Sequence, residues 1–379
     1  MSNVRIALTG GGSGGHIFPL IATVQSLNKM TRNYSEPLDI RYFGPRSDYW
    51  QILANNGVAI SPIWGSKLRR YFDLRNLLDI PVFSLSLVQS FWKLLWFMPN
   101  VLFSKGGSGS LAVILAARFY QIPVVIHESD SIPSLTTRIS ARFATKIAIS
   151  FEESIKYLEE FGSKVALTGN PLREAILHGN EYNQFLLKKE LGFNPELPVL
   201  SFIGGSQGAQ IINQFVVDNL SELLTKFQII HQAGTLNYKN LKERTKDTRS
   251  GYLLFGSLDE KDGSGKEIKR MIQASDIVVS RAGSGAIFEI AALGKPSILI
   301  PLEGSASDHQ KVNAYEYANK GAAEVIEEDN FLPHLFMNQA EKILNNKDKY
   351  KIMSEAATKF AKKDAASIIA KEILQLASL

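Results

Sequence analysis

Short apolar runs alternate with stretches of helical periodicity along the whole chain. In the first half, the runs that predict strands are Val4–Thr9, Asp39–Phe43, Val101–Ser104, Val124–His127, Lys146–Ile149 and Val165–Thr168. The pattern begins again with Val199–Ile203, Gln228–Gln232, Tyr252–Phe255, Ile277–Val279, Ser297–Pro301 and Ala323–Ile326. Strands that alternate with helices are typical of parallel sheets covered by helices on both faces. The sequence therefore predicts an α/β protein with two doubly wound domains.

The predicted boundary lies near Gly169-Asn170-Pro171, where a strand ends and the proline prevents its continuation. We expect an N-terminal domain over residues 1–170 and a C-terminal domain over residues 171–353. Residues 354–379 show helical periodicity and are expected to form a helix that packs back towards the N-terminal domain. The length of 379 residues suits two domains of this size.

A glycine-rich turn follows four of the predicted strands. The turns are Gly10–His16, Lys105–Ser110, Gly204–Ala209 and Arg281–Ala286. Such a turn directs backbone N–H groups and the N-terminus of the next helix to one point, which favours a phosphate there. Because each domain carries two of these turns, we expect the two domains to face each other across a phosphate-rich ligand.

The first turn also matches the dinucleotide-binding pattern, as Gly10-x-Gly12-x-x-Gly15. An enzyme that uses a dinucleotide needs an acidic residue at the end of the second strand. Here that strand ends in Tyr42-Phe43-Gly44-Pro45-Arg46 and carries no acid. This argues against nicotinamide chemistry, while a tight turn without a ligand stays open as an alternative.

The stretch Ile80–Met98 is apolar on most sides, carries one charge, Lys93, and follows a basic, aromatic stretch over residues 67–72. It approaches the ~20 residues of a membrane-spanning helix. We reject spanning because the stretch contains Pro81 and lies between two strands of one sheet. A deeply packed core helix is one interpretation. The other is a helix that dips into a membrane interface, with Lys67–Met98 on an anionic membrane surface.

Composition narrows the function classes only slightly. With 45% hydrophobic and 21% charged residues, the composition is typical of a soluble α/β protein. The net charge of +5 suits anionic partners, although a merely solvated surface also explains it. There is no cysteine, which excludes disulfides and thiolate sites, and no other metal-ligating pattern occurs. We expect no metal, no cofactor and no secretory leader.

Polar side chains near the turns are candidates for chemistry. His16 lies at a helix N-terminus, which lowers a histidine pKa and suits a neutral general base; a capping or packed histidine is the alternative. Glu289 could hold ribose hydroxyls, or lie on an exposed helix face. Asp308-His309-Gln310 and Asn313 follow a strand's carboxyl end, where such sheets bind ligands, although Asn313 suits a cap equally. Arg173 suits a diphosphate or a surface salt bridge.

Taken together, these motifs resemble the MurG family, the GT-B glycosyltransferases of peptidoglycan synthesis. The motifs that carry the resemblance, in order, are Gly11–Pro19, Ser104–Gly107, His127–Asp130, Thr168–Arg173, Gly204–Ala209, Ser280–Gly283 with Glu289, and Asp308–Gln310. The resemblance implies a GT-B fold, with two Rossmann-like doubly wound domains that face a central cleft. It also implies inverting transfer of N-acetylglucosamine from UDP-N-acetylglucosamine to the muramyl 4-hydroxyl of lipid I, giving lipid II.

The family further implies an undecaprenyl-linked acceptor bound by the N-terminal domain, a peripheral location on the cytoplasmic face of the cell membrane, and no nucleic-acid partner. A UDP-N-acetylglucosamine 2-epimerase and a non-catalytic nucleotide-sugar-binding module stay open as alternatives. The residues carried over for the donor are Arg173, Gly205, Ser206, Gln207, Gly208, Glu289, Gln310 and Asp130. Those for the acceptor pyrophosphate are Gly12, Ser13, Gly14, Gly15, Gly106, Gly107 and Ser108. His16, or else Glu128, is the expected base.

The chain departs from the family pattern at two places. Ser129-Asp130 stands where many members have Gln-Asn, and an ionised Asp130 accepts hydrogen bonds but cannot donate them. The turn after Gly107 lacks the aromatic residue and the proline that are frequent there.

Overall fold

The computed structural model describes residues 4–32, 38–65, 75–178, 182–205, 208–248, 250–258 and 263–378. The chain divides into two compact units. The first comprises Met1–Glu174 together with Lys363–Leu379, and the second comprises Ala175–Lys362. The division thus falls four residues beyond the predicted boundary at residue 170, and the end of the chain returns to the first unit.

Each unit contains a parallel sheet. The strands of the first unit are β1 (Arg5–Thr9), β2 (Asp39–Gly44), β3 (Val58–Pro62), β4 (Val101–Ser104), β5 (Val124–Glu128), β6 (Lys146–Ile149) and β7 (Val165–Leu167). Those of the second are β8 (Val199–Ile203), β9 (Gln228–Gln232), β10 (Tyr252–Phe255), β11 (Ile277–Ser280), β12 (Ser297–Leu299) and β13 (Ala323–Val325). All the predicted strands are present, and β3 is an additional strand that the sequence analysis missed.

Helices connect the strands on both faces of each sheet. In the first half they are α1 (Gly14–Met30), α2 (Trp50–Asn55), α3 (Arg75–Phe97), α4 (Ser110–Phe119), α5 (Leu135–Ala141), α6 (Glu174–Leu177) and α7 (Gln184–Glu190). The others are α8 (Gln210–Asp218), α9 (Leu220–Leu223), α10 (Thr235–Arg244), α11 (Lys266–Ala274), α12 (Ser284–Ala292), α13 (His309–Asn319), α14 (Pro333–Leu344), α15 (Lys347–Phe360) and α16 (Ala365–Leu376). Short 3-10 helices span Glu152–Tyr157, Glu159–Lys164, Ala306–Asp308 and Glu328–Asn330.

The strand order places the glycine-rich turns. It is β3-β2-β1-β4-β5-β6-β7 in the first sheet and β10-β9-β8-β11-β12-β13 in the second. In both sheets the direction of winding reverses between two central strands, β1 and β4 or β8 and β11. Loops that leave such a pair diverge, and ligands bind in the crevice at their carboxyl ends. The four turns follow these four strands, so each unit carries two turns at its switch point. The predicted doubly wound α/β class is confirmed.

The last helix completes the core of the first unit. Ile369 and Ile373 of α16 are buried in one cluster with Ile17 and Leu20 of α1 and with residues of β1. The predicted single helix over residues 354–379 is interrupted between Phe360 and Ala365, so that α15 belongs to the second unit and α16 to the first.

Helix α3 is not the deeply packed core helix that one interpretation predicted. Its inner side buries Leu94 and Phe97 in the core under β4, together with Ser86 and Ser90. Its outer side exposes a row of large apolar residues, namely Ile80, Leu85, Val88, Trp92, Leu95 and Trp96. We call this row the apolar face of α3. Among the described residues, Asp79–Phe97 is the one helical stretch whose length and composition would allow it to cross a membrane. The strands on either side of it, β3 and β4, lie in one sheet.

Candidate functional site

The two glycine-rich turns of the first unit are in direct contact. The N–H of Gly11 donates to Gly106 O at 2.9 Å, and the N–H of Lys105 donates to Thr9 O at the same distance. A Cβ added at Gly107 would lie 2.7 Å from Gly11 N and 2.9 Å from His16 Nε2, and its φ of +90° lies in the left-handed region. Only glycine fits this position, because both the space and the backbone conformation exclude a side chain.

His16 lies where these turns meet, in the first turn of α1. Its Nδ1 and the hydroxyl of Ser13 share a hydrogen bond of 2.8 Å. The His16 pKa is lowered to about 4, first by burial and then by the charge of Lys105, while the charge of Asp130 opposes both. The ring is therefore neutral near pH 7. When Nδ1–H donates to Ser13, Nε2 is the atom that can accept a proton.

The predicted acceptor residues lie together around His16. Gly12, Ser13, Gly14 and Gly15 form the turn and start of α1, and Gly106, Gly107 and Ser108 form the turn before α4. Ser13 and Gly15 are exposed, whereas Gly14 is buried. Two helix N-termini therefore open at one place, which is the arrangement that binds an anion.

Glu128, the alternative base, is engaged in its own loop. Its Oε1 accepts the N–H groups of Ser129 at 2.9 Å and Asp130 at 3.1 Å, and its Oε2 accepts that of Ser134 at 3.0 Å. Burial raises the Glu128 pKa, and so does the charge of Asp130, while Lys105 and hydrogen bonds from Thr137 and Asp130 lower it. The carboxylate thus organises the loop that leads into α5.

Two predicted donor contacts belong to the first unit. Arg173 is 2% exposed, and its guanidinium lies 4.2 Å from the centre of the Phe18 ring. Asp130 is half-buried in the loop after β5, where its carbonyl oxygen accepts from Ser154 Oγ at 2.8 Å. Their roles towards a donor stay predictions.

In the second unit, the turn after β8 is held tightly by the next strand. The N–H of Gly204 donates to Gln232 O at 3.2 Å, and that of Gly208 donates to Gly205 O at 3.1 Å. Gly205 and Gly208 have φ values of +76° and +79°. Ser206 and Gln207, two predicted donor contacts, lie outside the described residues. The turn leads into α8, whose N-terminus starts at Gln210.

The second turn of this unit leads into α12, which carries Glu289 half-buried one turn further on. Asn313 is a fully buried residue within α13, and its Nδ2 donates to Ala282 O at 3.2 Å. It therefore ties α13 to this turn. Gln310 is half-buried, and its Oε1 accepts the N–H of Leu302 at 3.2 Å.

The loop before α13 has an unusual backbone. Ser307 and Asp308 have φ values of +59° and +53°, a conformation that costs a residue with a side chain about 1–3 kcal/mol. The N–H of Asp308 donates to Ser305 O at 2.7 Å, and the N–H of Gln310 donates to Ser305 Oγ at 3.3 Å. This strained loop lies next to Gln310, and the sequence contains no glycine at either position to reveal it.

Lys105 is a charged residue at the site that the sequence analysis did not select. It is 4% exposed and lies directly before Gly106, between the carboxyl end of β4 and the first turn. Its place in the sequence, between an apolar strand and a pair of glycines, is a signal of burial, and lysine is rarely fully buried unless it is paired.

Two sheets with paired anion-type turns at their switch points are typical of nucleotide-sugar enzymes of the GT-B class, and solved structures bear out this fold. The crystal structure of Acinetobacter baumannii MurG matches with a TM-score of 0.72 and 19% identity, over 98% of this chain and 99% of that one. The S. aureus MnaA–UDP structure matches with a TM-score of 0.68 and 16% identity, over 99% and 97%. The predicted GT-B fold is confirmed.

Sequence relatives define the family. Residues 6–149 match the glycosyltransferase family 28 N-terminal domain, and residues 199–369 match its C-terminal domain. The UDP-N-acetylglucosamine--N-acetylmuramyl-(pentapeptide) pyrophosphoryl-undecaprenol N-acetylglucosamine transferase of Clostridium tetani is 35% identical over 91% of both chains. That of Clostridium kluyveri is 36% identical over 91% of this chain and 93% of its own. The chain therefore belongs to glycosyltransferase family 28 and, within it, to the family of these N-acetylglucosamine transferases. The family resemblance and the enzyme class predicted from the sequence are confirmed.

Proposed function

We propose that the protein transfers N-acetylglucosamine from UDP-N-acetylglucosamine to the 4-hydroxyl of the muramyl sugar of lipid I, and so produces lipid II for peptidoglycan synthesis. The observation that carries this proposal is the pair of glycine-rich turns at the switch point of each sheet, in a chain related to such transferases over 91% of its length. One pair suits the diphosphate of the donor and the other suits the pyrophosphate of the acceptor.

The donor is assigned to the second unit. The N-terminus of α8 and the backbone of Gly205 and Gly208 are assigned to its diphosphate, because a helix N-terminus favours an anion. Glu289 then lies one turn into α12, where a carboxylate can accept both ribose hydroxyls, and Gln310 is assigned to the sugar hydroxyls. The family resemblance of the sequence motifs is the source of these roles, and the glycine-rich turns of the second unit support the proposal.

The acceptor is assigned to the first unit, with its pyrophosphate at the N-termini of α1 and α4. In the proposed reaction, the acceptor's 4-oxygen forms a bond to the anomeric carbon of N-acetylglucosamine while the bond from that carbon to UDP breaks. Nε2 of His16 takes the hydroxyl proton, and UDP leaves with the electron pair of the broken bond. Single displacement inverts the anomeric configuration, so an α-linked donor gives a β-1,4 product. The negative charge on the departing UDP is stabilised by the helix N-terminus that follows Gly208 and by the guanidinium of Arg173.

The apolar face of α3 is the proposed membrane contact, which would hold the enzyme on the cytoplasmic face of the cell membrane. Trp92 and Trp96 are 63% and 73% exposed, and their rings pack edge-to-face with the ring centroids 5.9 Å apart. Exposed Phe119, the last residue of α4, packs against Phe91 of α3 and extends the surface. Contiguous exposed aromatic residues on one helix are typical of a surface that enters the membrane interface. The basic, aromatic stretch over residues 67–72, which belongs to this proposal, lies outside the described residues.

Replacing Trp92 and Trp96 by glutamate is expected to weaken binding to vesicles that contain phosphatidylglycerol. Each large apolar side chain contributes roughly 1.5–3 kcal/mol on burial, so we expect at least a ~10-fold loss of partitioning. Flotation of the purified protein with vesicles measures this. Leu236→Glu is the matched control, because Leu236 is 89% exposed in the second unit. Equal flotation of the double variant and the control would contradict the membrane assignment.

A turnover assay with radiolabelled UDP-N-acetylglucosamine and a lipid-linked muramyl acceptor tests the function. We expect a labelled lipid-linked disaccharide and an equal amount of UDP, both dependent on acceptor. A 2-epimerase would convert the donor to its 2-epimer without acceptor, and a binding module would give no product. Either of these results would overturn the proposal.

A further inference from the structure

Lys105 is an ammonium group buried in the first unit, where its hydrogen-bond partner is a neutral side chain. Its Nζ donates to the hydroxyl of Ser129 at 2.8 Å. Across the described part of the chain, the structure records no ion pair for Lys105, and its recorded side-chain partner is this neutral hydroxyl. Burying an ammonium without a close counter-ion costs free energy of folding. A buried ammonium at this place therefore indicates a functional role for its charge.

The carboxylates of Glu128 and Asp130 both attract Lys105, yet burial lowers the Lys105 pKa more than they raise it. The oxygens of Glu128 accept three backbone N–H groups of their own loop, which disperses the charge of this carboxylate. Beneath the two glycine-rich turns, Lys105 therefore remains a buried ammonium whose hydrogen bond goes to a neutral hydroxyl.

Lys105 acts on the ionisation of His16. Its charge lowers the His16 pKa, that of Asp130 in the loop after β5 raises it, and Ser13 from the histidine's own turn shares a hydrogen bond with the ring. Gly107, two residues beyond Lys105, lies so close that its missing Cβ would contact His16 Nε2. Lys105 and His16 are thus held on two turns that are hydrogen-bonded to each other.

We propose that Lys105 is a positioning residue of the transfer reaction, which keeps His16 in its neutral, proton-accepting form while an anionic acceptor is bound. The proposal rests on the proposed function, because the pyrophosphate of that acceptor would otherwise favour the imidazolium. A buried cation opposes this effect from the protein side, whereas a solvent-exposed one would be screened. Lys105 acts through His16 and is not itself assigned a contact with the reacting atoms.

The test is an NMR titration of His16 in the full-length protein with ring-labelled histidine, its signal assigned by its loss in His16→Gln. Lys105→Met keeps the length of the side chain and removes its charge. We expect the titration midpoint of His16 to rise by about 1 pH unit, because removal of a neighbouring positive charge in a buried site is worth about that much. The acid limb of kcat/KM should move upwards by the same amount. Lys105→Arg should restore the wild-type midpoint.

Two controls separate the effect of charge from the effect of structure. Lys269→Met removes another buried lysine, one that donates to His178 O at 2.8 Å in the second unit, and should leave the His16 midpoint unchanged. Ser129→Ala removes the hydroxyl partner of Lys105 but keeps the charge, and should also leave it near the wild-type value. If Lys105→Met does not fold, Lys105→Gln makes the same comparison.

An unchanged His16 midpoint in a folded Lys105→Met or Lys105→Gln protein would overturn the proposal. This outcome is distinguishable from failure of the proposed function. The titration needs no turnover, whereas a wild-type protein that makes no disaccharide would overturn the function whatever the midpoint does.

Discussion

Replacing His16 by alanine is expected to lower kcat by ~10²–10⁴-fold, the usual contribution of a general base. Affinity for UDP-N-acetylglucosamine should change little, because the donor is assigned to the second unit and His16 lies in the first. We expect the loss of kcat because burial and the charge of Lys105 keep the imidazole of His16 neutral near pH 7. Its Nε2, next to Gly107, is then free to accept a proton when Nδ1 donates to Ser13.

Steady-state kinetics and titration calorimetry with UDP together test this prediction. His334→Ala is the control, since His334 is exposed on α14 in the second unit and should leave kcat unchanged. A His16→Ala enzyme with wild-type kcat would remove this residue from the mechanism. Glu128→Gln, with its loop still folded, would then become the variant to measure.

The second large effect is expected for Gly208→Ala. A Cβ at Gly208 would lie 2.1 Å from the carbonyl oxygen of Ala233 and 2.6 Å from Nδ2 of Asn237. That carbonyl cannot easily move, because it accepts from Asn213 Nδ2 at 2.9 Å and the N–H of Ala233 donates to Phe255 O at the same distance. We expect the second unit to lose ~2–4 kcal/mol of stability and the protein to lose UDP affinity.

Gly192→Ala is the matched control for the backbone strain alone. Gly192 has a φ of +78°, nearly that of Gly208, but a Cβ there meets nothing within 4 Å. It should cost only the ~1–2 kcal/mol of a left-handed alanine and leave UDP binding intact. Denaturant unfolding and calorimetry with UDP measure both quantities. If the two variants lose equal stability and both bind UDP normally, the close approach at Gly208 has no functional role.

The presence of a strand follows from the sequence wherever the strand is central. The strands of a parallel sheet's interior are buried on both faces, so β1, β4, β5, β8 and β11 read as continuous apolar runs. Strand β3 was missed because it lies at the sheet edge, where Val58 is buried but Ala59 is exposed, and because Ser61 and Pro62 end it in residues typical of a turn.

Contacts between distant segments were harder to predict. Helical periodicity indicates a helix near the end of the chain, but not that it divides into α15 and α16 or that the two parts belong to different units. The burial of Lys105 likewise depends on three neighbouring strands, β1, β4 and β5, and periodicity along one segment cannot reveal it.

At the site, the sequence predicted the glycine-rich turns because phosphate-type turns need a particular order of glycines. The partners of individual side chains did not follow from that order. Glu128 accepts hydrogen bonds from its own loop, and Arg173 lies over Phe18. The first arrangement is a local loop conformation and the second is a contact between distant segments, and the spacing of motifs encodes neither.

The most direct test of the account is a crystal structure of this protein with UDP-N-acetylglucosamine bound. The account predicts the diphosphate at Gly205 and Gly208 and the ribose at Glu289, all in the second unit, with the turns around His16 left for the acceptor. A uridine bound instead at Gly12 and Gly106 of the first unit would contradict it.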